Sequence, residues 1–589
     1  MNIPKGQLTL RGAVVGLIGC AVITAASVYT ALKMGALPWP IIFAAIISLF
    51  FLKAIDRKRG TATLNEANVT HTIMSAGAMV AGGLAFTIPG IWMLGAGEVS
   101  WGEMFAVAIA GVVMGLVCTA ALRRHFIEED DLEFPIGQAA AQTLIAGNGG
   151  VDAGAAAKRA DEPADAPRKT GGKLFGAMGA AGVFCALRDA AGVIPAMIAT
   201  LPIPGVAFGI YCSPMLLAVG YLVGVGAVVT WIAGAVFANF GLIVGASSLG
   251  LWDVASGQGI VSSLGMGLMM GAGFGVVAKL VYSRARAAGS RSADGRKRAR
   301  RVERDGEQRR RFRVTAGLAA CAVAACALIV CFALGLGPVP AVIVVVLAWV
   351  TTAMSAQSVG QTGIDPMEIF GLIVLLAVAA VSNVPQVQLF FVAGVVSVAC
   401  GLAGDVMNDF KAGHILGTDP RAQWLGQAAG AVLGAVVAVS VMYVLVGAYG
   451  ADAFGPGKEF VAAQASVVAT MIAGIPSAPA FAIGLTVGFV LQIAGLPAMM
   501  LGLGVYLPFY MSFTAALGMV AKLVYDAVCK ARNRRKREAL IASGAADVPS
   551  LEQMRARSDE SGLVVASGLL GGESVVGVII ALSVVLMGM

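Results

Sequence analysis

The chain has 589 residues, of which 58% are hydrophobic and only 13% charged, and its mean hydropathy is +0.85. Soluble domains carry about 25% charged residues, so this composition excludes an ordinary soluble protein and predicts a polytopic membrane protein. The net charge of +8 does not indicate nucleic-acid binding, because thirteen Lys and Arg residues and only four acidic residues fall between residues 284 and 313. A local basic run between apolar segments is typical of a cytoplasmic loop.

Apolar segments predict an all-α fold, a polytopic helical membrane protein with about 16 transmembrane helices (15–17) and some broken or re-entrant segments. Residues 1–589 are expected to form a single transmembrane domain, in which 153–172, 283–311 and 543–560 are cytoplasmic linkers. The candidate segments are 8–32, 38–55, 69–95, 102–122, 173–200, 206–220, 221–245, 256–282, 314–336, 338–356, 367–382, 388–404, 424–449, 460–475, 478–496, 498–523 and 562–587. The first is long enough to span a membrane and is expected to be an uncleaved helix.

Charged stretches between the segments predict the orientation of the chain. Two, four, four and four segments separate these stretches in turn, and each even number returns the chain to the same face. By the positive-inside rule, all of them and the N-terminus are expected on the cytoplasmic side of the plasma membrane. The stretches are 53–59, 123–173, 279–313, 409–421 and 522–557.

Gly and Pro combined with polar side chains interrupt several segments, at 87–90, 134–137, 211–214, 361–366, 475–479 and 506–508. Interrupted helices hold substrates and ions in many transporters, although any single break could be only a helix end or a kink. These breaks, together with polar residues inside apolar segments, supply the candidate binding residues. The candidates are Lys33, His71, Gln138, Tyr211, Gln361, Asp365 and Tyr506.

Ionisable residues inside apolar segments are costly and often functional. Glu573 lies deep in the last segment and is the candidate proton carrier or partner of a substrate ammonium group, the alternative being a structural hydrogen bond or a protonated buried acid. Arg188 and Asp189 are expected to form interhelical or interfacial ion pairs. His71 could titrate near physiological pH or simply be hydrogen-bonded within its helix.

Several chemistries have no visible motif in this sequence. There is no Gly-x-x-x-x-Gly-Lys-Ser/Thr phosphate loop, no His-Glu-x-x-His zinc motif and no Gly-x-Ser-x-Gly nucleophile motif. The nine cysteines lie mostly in apolar runs without metal-ligand spacing, which favours a packing role. We therefore expect no cofactor and no bound metal, and translocation driven by an ion gradient rather than catalysis.

A polar stretch at 405–427 has the most specific pattern in the chain. It reads Asp409-x-Lys411-x-Gly-His414, then Pro420-Arg421, then Gln427. This spacing resembles the Asp-Leu-Lys-x-Gly-His and Pro-Arg signature of the oligopeptide transporter (OPT) family. Because it lies between two apolar segments, we expect Asp409, Lys411, His414, Pro420 and Arg421 to form a gate at the cytoplasmic mouth.

Weaker matches to the same family follow in the same order along nearly the whole chain. They are 7–11 (Gln-Leu-Thr-Leu-Arg), 27–35 (Ser-Val-Tyr-Thr-Ala-Leu-Lys-Met-Gly), 68–77, 134–141, 502–508 and 566–574. Two positions depart from the pattern: His71 stands where relatives often have Gln, and Ala78 where an acidic residue often follows Ser-Ala-Gly. The Asn-Pro-Gly motif of eukaryotic peptide-transporting members is also missing, which favours a bacterial branch related to Yellow Stripe-like transporters.

The resemblance implies a secondary active transporter that imports small oligopeptides by proton cotransport and alternating access. Lys33 and Asp365 would then contact the charged ends of the peptide, and Tyr211 and Tyr506 its backbone, unless these residues are interfacial charges and packing groups. Uptake of metal chelates or siderophore-like complexes is the alternative within the family, and a membrane-embedded enzyme or a channel is less favoured. The expected partners are the substrate, protons and the lipid bilayer, with no nucleic acid; the oligomeric state is not predicted.

Overall fold

The computed structural model describes residues 6–35, 37, 41–55, 63–147, 166–291, 320–473, 476–543 and 548–587. Its α-helices are α1 (Leu10–Met34), α2 (Ile41–Ile55), α3 (Leu64–Ala85), α4 (Pro89–Met93), α5 (Trp101–Arg123), α6 (Pro135–Gly147), α7 (Ala166–Cys185), α8 (Pro214–Leu222), α9 (Val225–Val236), α10 (Ala246–Ser248), α11 (Val254–Arg291), α12 (Ala320–Ala333), α13 (Pro338–Thr362), α14 (Met367–Val381), α15 (Gln386–Leu416), α16 (Pro420–Tyr449), α17 (Ala463–Ala473), α18 (Ala478–Ile493), α19 (Ala498–Tyr506), α20 (Phe509–Ala542) and α21 (Leu551–Met587). Wider π-helical turns extend α5 (Arg124–Glu129), α7 (Ala186–Ala190) and α9 (Phe237–Gly245).

Within the described residues, ten helical stretches are long and apolar enough to cross a membrane, and five further apolar helices are shorter. A polytopic helical membrane protein is therefore confirmed, but the expected count of about 16 full spans is not. Three of the shorter helices, Met367–Val381, Ala463–Ala473 and Ala478–Ile493, lie beside interruptions that the sequence predicted, at 361–366 and 475–479. The chain breaks after Ala85, Thr362 and Tyr506, and a Pro stands at or just before the start of each following helix.

The expectation of an all-α fold is wrong in one place, where the predicted segments 173–200 and 206–220 would have been helices. α7 with its π-helical extension and α8 cover most of these segments, but a two-stranded antiparallel hairpin connects them, with β1 at Met197–Ile203 and β2 at Val206–Tyr211. Pro204 and Gly205 form the two-residue turn between the strands, and Gly205 has a φ of +76° that a side chain would disfavour. Prolines cannot continue a helix, and the β-branched residues around them favour strands.

Parts of the predicted linkers are helical. α7 begins at Ala166, α11 continues to Arg291 and α21 begins at Leu551, so helix ends overlap all three predicted linkers. Most of 153–172 and 283–311, and residues 544–547, lie outside the described part of the chain.

α3 and α15 form the centre of the molecule and are its most buried long helices. α3 packs against α1, α15 and α16. The contact with α16 is close because Gly430 and Gly434 face Ile73 and Gly77, and a methyl group on Gly434 would collide with the Cα of Gly77. Small residues at such positions let helix backbones approach in membrane proteins. This approach brings polar side chains of α3 and α16 together around α15.

The polar stretch 405–427 is not a loop along most of its length. α15 continues through it to Leu416, Gly417 ends the helix with a φ of +74°, and the Asp419 side chain caps α16 at Pro420. The last turns of α15 are buried, and Asp409 is 0% exposed. Asp409 therefore lies in the core, because its helix carries it there, and its role at the cytoplasmic mouth stays a prediction.

Candidate functional site

A cavity of about 870 Å³ lies between the hairpin, α11, α17 and the α19–α20 break. Its described lining carries no charged side chain, and its polar groups are amides and hydroxyls such as Gln258, Ser262, Ser466 and Tyr506. The volume falls within the usual range of about 300–1,000 Å³ for small-molecule sites. A lining of this kind can hydrogen-bond a neutral polar ligand, including a peptide backbone.

An ion-pair network, which we call the arginine cluster, joins α21 to the end of α7 and the start of α8. Arg188 Nη2 lies 2.9 Å from Glu573 Oε1, and both side chains are 1% exposed. The guanidinium also donates to both oxygens of Asp189, at 2.6 and 2.7 Å. Glu573 accepts from the Ser213 hydroxyl at 2.9 Å and from the backbone N–H of Met215 at 2.8 Å. One guanidinium in this cluster thus pairs with two carboxylates, and Glu573 accepts two further hydrogen bonds.

A second ion pair, between Lys33 and Glu459, stands close to the arginine cluster. Lys33 ends α1 and is buried, whereas the Glu459 side chain is 50% exposed in the loop between α16 and α17. The ammonium lies 5.8 Å from the ring centroid of Tyr29 and 5.3 Å from that of Phe460, close enough for cation–π attraction. The Ala462 N–H donates to the carbonyl of Leu32 at 2.8 Å and fastens the loop to α1.

The cavity and these charges share three segments of the chain. On β2, Ala207 lines the cavity and Tyr211 lies under Arg188, whose Cζ is 5.2 Å from its ring centroid. At the start of α20, Phe509 lines the cavity, and the ring of Tyr510 lies 5.7 Å from that of Tyr211. The loop that carries Glu459 contributes Pro456 and Gly457 to the cavity wall. The uncharged cavity and the two ion pairs are therefore built in part from the same segments of the chain.

A third group of polar residues, which we call the histidine cluster, is buried between α3, α15 and α16. His71 Nε2 lies 2.9 Å from Asp409 Oδ1, with both side chains 0% exposed, although the two atoms do not form a linear hydrogen bond. The Ser75 hydroxyl lies 2.9 Å from Asp405 Oδ2 and 3.2 Å from Asp409 Oδ2, and the Gln427 amide donates to Asp409. Asp405 and Asp409 are one helical turn apart, so their carboxyl groups share one face of α15.

Asp365 lies at the break between α13 and α14, away from the cavity lining. The Ser355 hydroxyl donates to its Oδ1 at 2.6 Å, and its Oδ2 packs against Gly404 of α15. It therefore stands next to the histidine cluster and not opposite Lys33 across a cavity. Gln138 is exposed and donates to the Glu133 carbonyl, and the side chain of Gln361 lies outside the described part of the chain.

The predicted gate residues separate into two groups. His414, Pro420 and Arg421 line an open groove of about 600 Å³ at the turn between α15 and α16. Lys411 instead pairs with Asp131 at 2.8 Å, and the ammonium lowers the pKa of that exposed carboxyl. Asp409 belongs to the histidine cluster.

Sequence reasoning missed Glu459, Asp405, Ser213 and Gln427 as site residues. Glu459 lies in a polar loop with no helical pattern, and nothing local marks it as the partner of a lysine more than 400 positions away. Asp405 could have been found, because its spacing of four from Asp409 places two acids on one helical face inside an apolar run.

In the described part of the chain, ten apolar helical stretches of spanning length, interrupted helices and buried ion pairs fit a polytopic membrane transporter. Comparison with protein families identifies the family: the family model described as "OPT oligopeptide transporter protein" matches residues 7–584. The chain therefore belongs to this family, which is one of transporters and not of enzymes.

Two relatives carry the same description at low identity. A Haemophilus influenzae protein named "Putative oligopeptide transporter" is 22% identical over 94% of this chain and 92% of its own length. A Saccharomyces cerevisiae protein named "Putative oligopeptide transporter YGL114W" is 30% identical over 158 residues, which cover 25% of this chain and 22% of the yeast protein.

Proposed function

We propose that this chain is a secondary active transporter that imports small peptides across the plasma membrane by proton cotransport and alternating access. The carrying observation is the uncharged cavity of about 870 Å³, whose wall includes Pro456 and Gly457 of the loop in which Glu459 pairs with Lys33. Membership in the OPT family and the names of the two relatives support a peptide substrate. A bacterial branch with kinship to Yellow Stripe-like transporters is part of the same proposal.

A small peptide has an uncharged, hydrogen-bonding backbone between an ammonium and a carboxylate. The amides and hydroxyls of the cavity suit the backbone, and the Lys33–Glu459 pair offers a charge for each terminus. Substrate binding would exchange partners: Lys33 takes the peptide carboxylate and Glu459 takes the ammonium. Because Glu459 is half exposed, this pair opens at lower cost than the buried Arg188–Glu573 pair.

Contacts at one face of the protein support the orientation in this proposal. Arg11 in the first turn of α1 pairs with Glu66 in the first turn of α3, and Gln7 accepts from the N–H of Asp419 at the turn between α15 and α16. These termini and the basic loops are proposed to be cytoplasmic by the positive-inside rule. Lys33 and Glu459, at the opposite ends of α1 and α16, would then receive substrate from outside.

Uptake into proteoliposomes tests the proposal. Labelled di- to hexapeptides, and ferric and nickel chelates as a separate arm, are offered with and without an imposed pH gradient and with no ATP. Saturable peptide accumulation that requires the gradient is expected. Accumulation of chelates alone would overturn the peptide assignment, accumulation without a proton gradient would overturn proton coupling, and non-concentrative flux would indicate a channel.

The role of the Lys33–Glu459 pair is tested by Lys33→Gln and Glu459→Gln. Each should raise the half-saturating peptide concentration by about 10- to 100-fold, since a hydrogen bond to a charged group contributes about 1.5–3 kcal/mol. Asp452→Asn, which removes an exposed carboxylate from the same loop, is the matched control and should leave uptake unchanged. Equal uptake by all three variants would remove the pair from the substrate site.

A further inference from the structure

The histidine cluster lies outside the cavity and has a deficit of hydrogen-bond donors. Five of its buried atoms have no hydrogen-bond partner among the described residues: Asp405 Oδ1, Asp409 Oδ1, Gln427 Oε1 and both ring nitrogens of His71, of which Nε2 lies 2.9 Å from Asp409 Oδ1 without forming a hydrogen bond. Three of these are acceptor oxygens within one small buried volume. Buried acceptors are normally paired, and a group of orphaned ones indicates something that the protein atoms do not supply.

The charges in this volume are also unbalanced. No Lys or Arg contacts Asp405 or Asp409 among the described residues: Lys411 pairs with Asp131, and Arg123 pairs with Glu128. Two carboxylates at one hydroxyl cannot both stay ionised in a buried site without cations. Of the titratable groups on the helices packed around the cluster, Cys20 of α1 and His71 of α3 face it. Arg123 of α5 lies over the ring of Phe410 on α15, and Asp365 at the α13–α14 break lies against Gly404, with Glu368 close to it.

A metal ion does not fit this deficit as well as a proton does. No group of three or more His, Cys, Asp or Glu side chains in the described part of the chain is arranged to hold a metal ion. A proton needs only one acceptor oxygen and one neighbouring acceptor, and the two carboxyl groups around Ser75 supply both.

We propose that the histidine cluster binds and releases the coupling proton, with Asp405 as the proton carrier and the His71–Asp409 pair as the group that sets its affinity. In the loaded state Asp405 is a neutral carboxylic acid, and its hydroxyl fills part of the donor deficit. Release breaks its O–H bond and transfers the proton to water, leaving the electron pair on the carboxylate. This inference rests on the proposed proton cotransport and assigns it to a site.

A polar path leads from the cluster to one face of the protein. Asn68 lies one turn before His71 on α3, and its side chain donates to the Thr418 hydroxyl at 2.9 Å. Thr418 in turn donates to Asn65 at 2.9 Å and lines the open groove of about 600 Å³ between α15 and α16. These hydrogen bonds connect the groove to the turn of α3 that precedes His71.

The same reasoning disfavours Glu573 as the proton carrier, the role that its position in the last apolar segment suggested. Its carboxylate accepts from Ser213 and Met215 and lies 2.9 Å from Arg188. Protonation would have to displace a buried cation, so Glu573 is better suited to hold α21 against α8 than to exchange protons.

Infrared difference spectra of the full-length chain in lipid vesicles, recorded between acid and alkaline pH, test the site without any substrate. A buried carboxylic acid gives its own C=O stretching band, and we expect Asp405→Asn to abolish the titrating band and Asp409→Asn to shift its midpoint. Asp405→Glu, which keeps an acid at this position, should restore a titrating band and shows that loss in the Asn variant is not misfolding. Glu573→Gln and Glu368→Gln are the matched buried controls and should leave the band in place. A band that persists in Asp405→Asn, or disappears in Glu573→Gln, overturns the assignment.

A transport measurement on the same variants separates this inference from the proposed function. Asp405→Asn should still exchange labelled for unlabelled peptide across the membrane but lose accumulation driven by a pH gradient. If the wild-type chain moves no peptide while the band behaves as expected, the proposed substrate is wrong and the proton site stands. Gradient-driven accumulation by Asp405→Asn equal to that of the wild type refutes the site.

Discussion

The arginine cluster and the histidine cluster both bury carboxylates in the same molecule, but they differ in what surrounds those carboxylates. Glu573 has a guanidinium and two hydrogen-bond donors, whereas Asp405 shares one serine hydroxyl with a second acid. Burial of an acid therefore does not by itself mark a proton site. A matched charge serves as an anchor, and an unmatched one must bind a proton to remain buried.

The largest expected effect comes from breaking the matched pair. Arg188→Met leaves Glu573 buried without its cation, and removal of one partner of a buried ion pair costs about 3–5 kcal/mol. Thermal unfolding of the variant in detergent should show this loss relative to the wild type. Asp189 is 28% exposed, so water can solvate it when Arg188 is removed.

The double variant Arg188→Met/Glu573→Gln tests the physical reason for that loss. The Gln carbonyl oxygen can still accept from Ser213 and Met215, and no buried charge is left unpaired. Most of the lost stability should return. If the double variant is less stable than Arg188→Met, the two residues are not an ion pair whose cost lies in the unpaired partner.

The α3–α16 contact that holds the histidine cluster together can be disturbed without changing the polar groups of the cluster. Gly434→Ala places a methyl group against the Cα of Gly77 and should push α16, which carries Gln427, away from α3. Overpacking of this kind costs about 1–3 kcal/mol, measured by thermal unfolding. Because the arginine cluster does not include α3 or α16, the titrating infrared band should change in this variant while the Arg188–Glu573 pair keeps its full contribution to stability.

Gly226→Ala is the matched control, because Gly226 is an exposed residue of α9 with open space around its Cα. Alanine is favoured over glycine in a helix by up to about 1 kcal/mol, so this variant should be neutral or slightly more stable. Equal effects of the two substitutions would show that the α3–α16 contact is not limiting.

How far the sequence predicted these two regions depends on whether the signal is local. Gly, Pro and polar residues act on their own backbone, which is why the breaks before Pro89 and Pro508 were predictable. Glu573 and His71 were recognisable as polar residues in apolar runs. Which residue each of them pairs with was not predictable. Arg188 and Asp409 are separated from Glu573 and His71 by more than 300 positions, and only packing decides which helix faces meet.

The errors in the prediction have local physical causes. Hydropathy counts apolar residues equally in helices and strands, so the hairpin around Gly205 was read as part of two helices. Charge in the sequence was taken as a sign of exposure, which placed Asp409 in a loop. In the structure α15 continues through this polar stretch because Gly417 is the first residue that stops it.

The smallest expected effect sharpens the comparison at the exposed end of α15, where Lys411 pairs with Asp131. Lys411 lowers the pKa of Asp131 in the folded chain, so the pair contributes stability above the unfolded-state pKa of about 4 and loses it as the pH falls through the lower folded pKa. Asp131→Asn should therefore lower the melting temperature slightly at neutral pH and not at all in acid, and added salt should weaken the effect because the carboxylate is exposed.

Glu133→Gln, an exposed acid of the same loop with no ion pair among the described contacts, should lack this pattern, and in a Lys411→Gln background the effect of Asp131→Asn should vanish. A difference between Asp131→Asn and wild type that grows on acidification would mean that Asp131 is held in its protonated form, as Asp405 is proposed to be, and that exposure does not separate the two kinds of site.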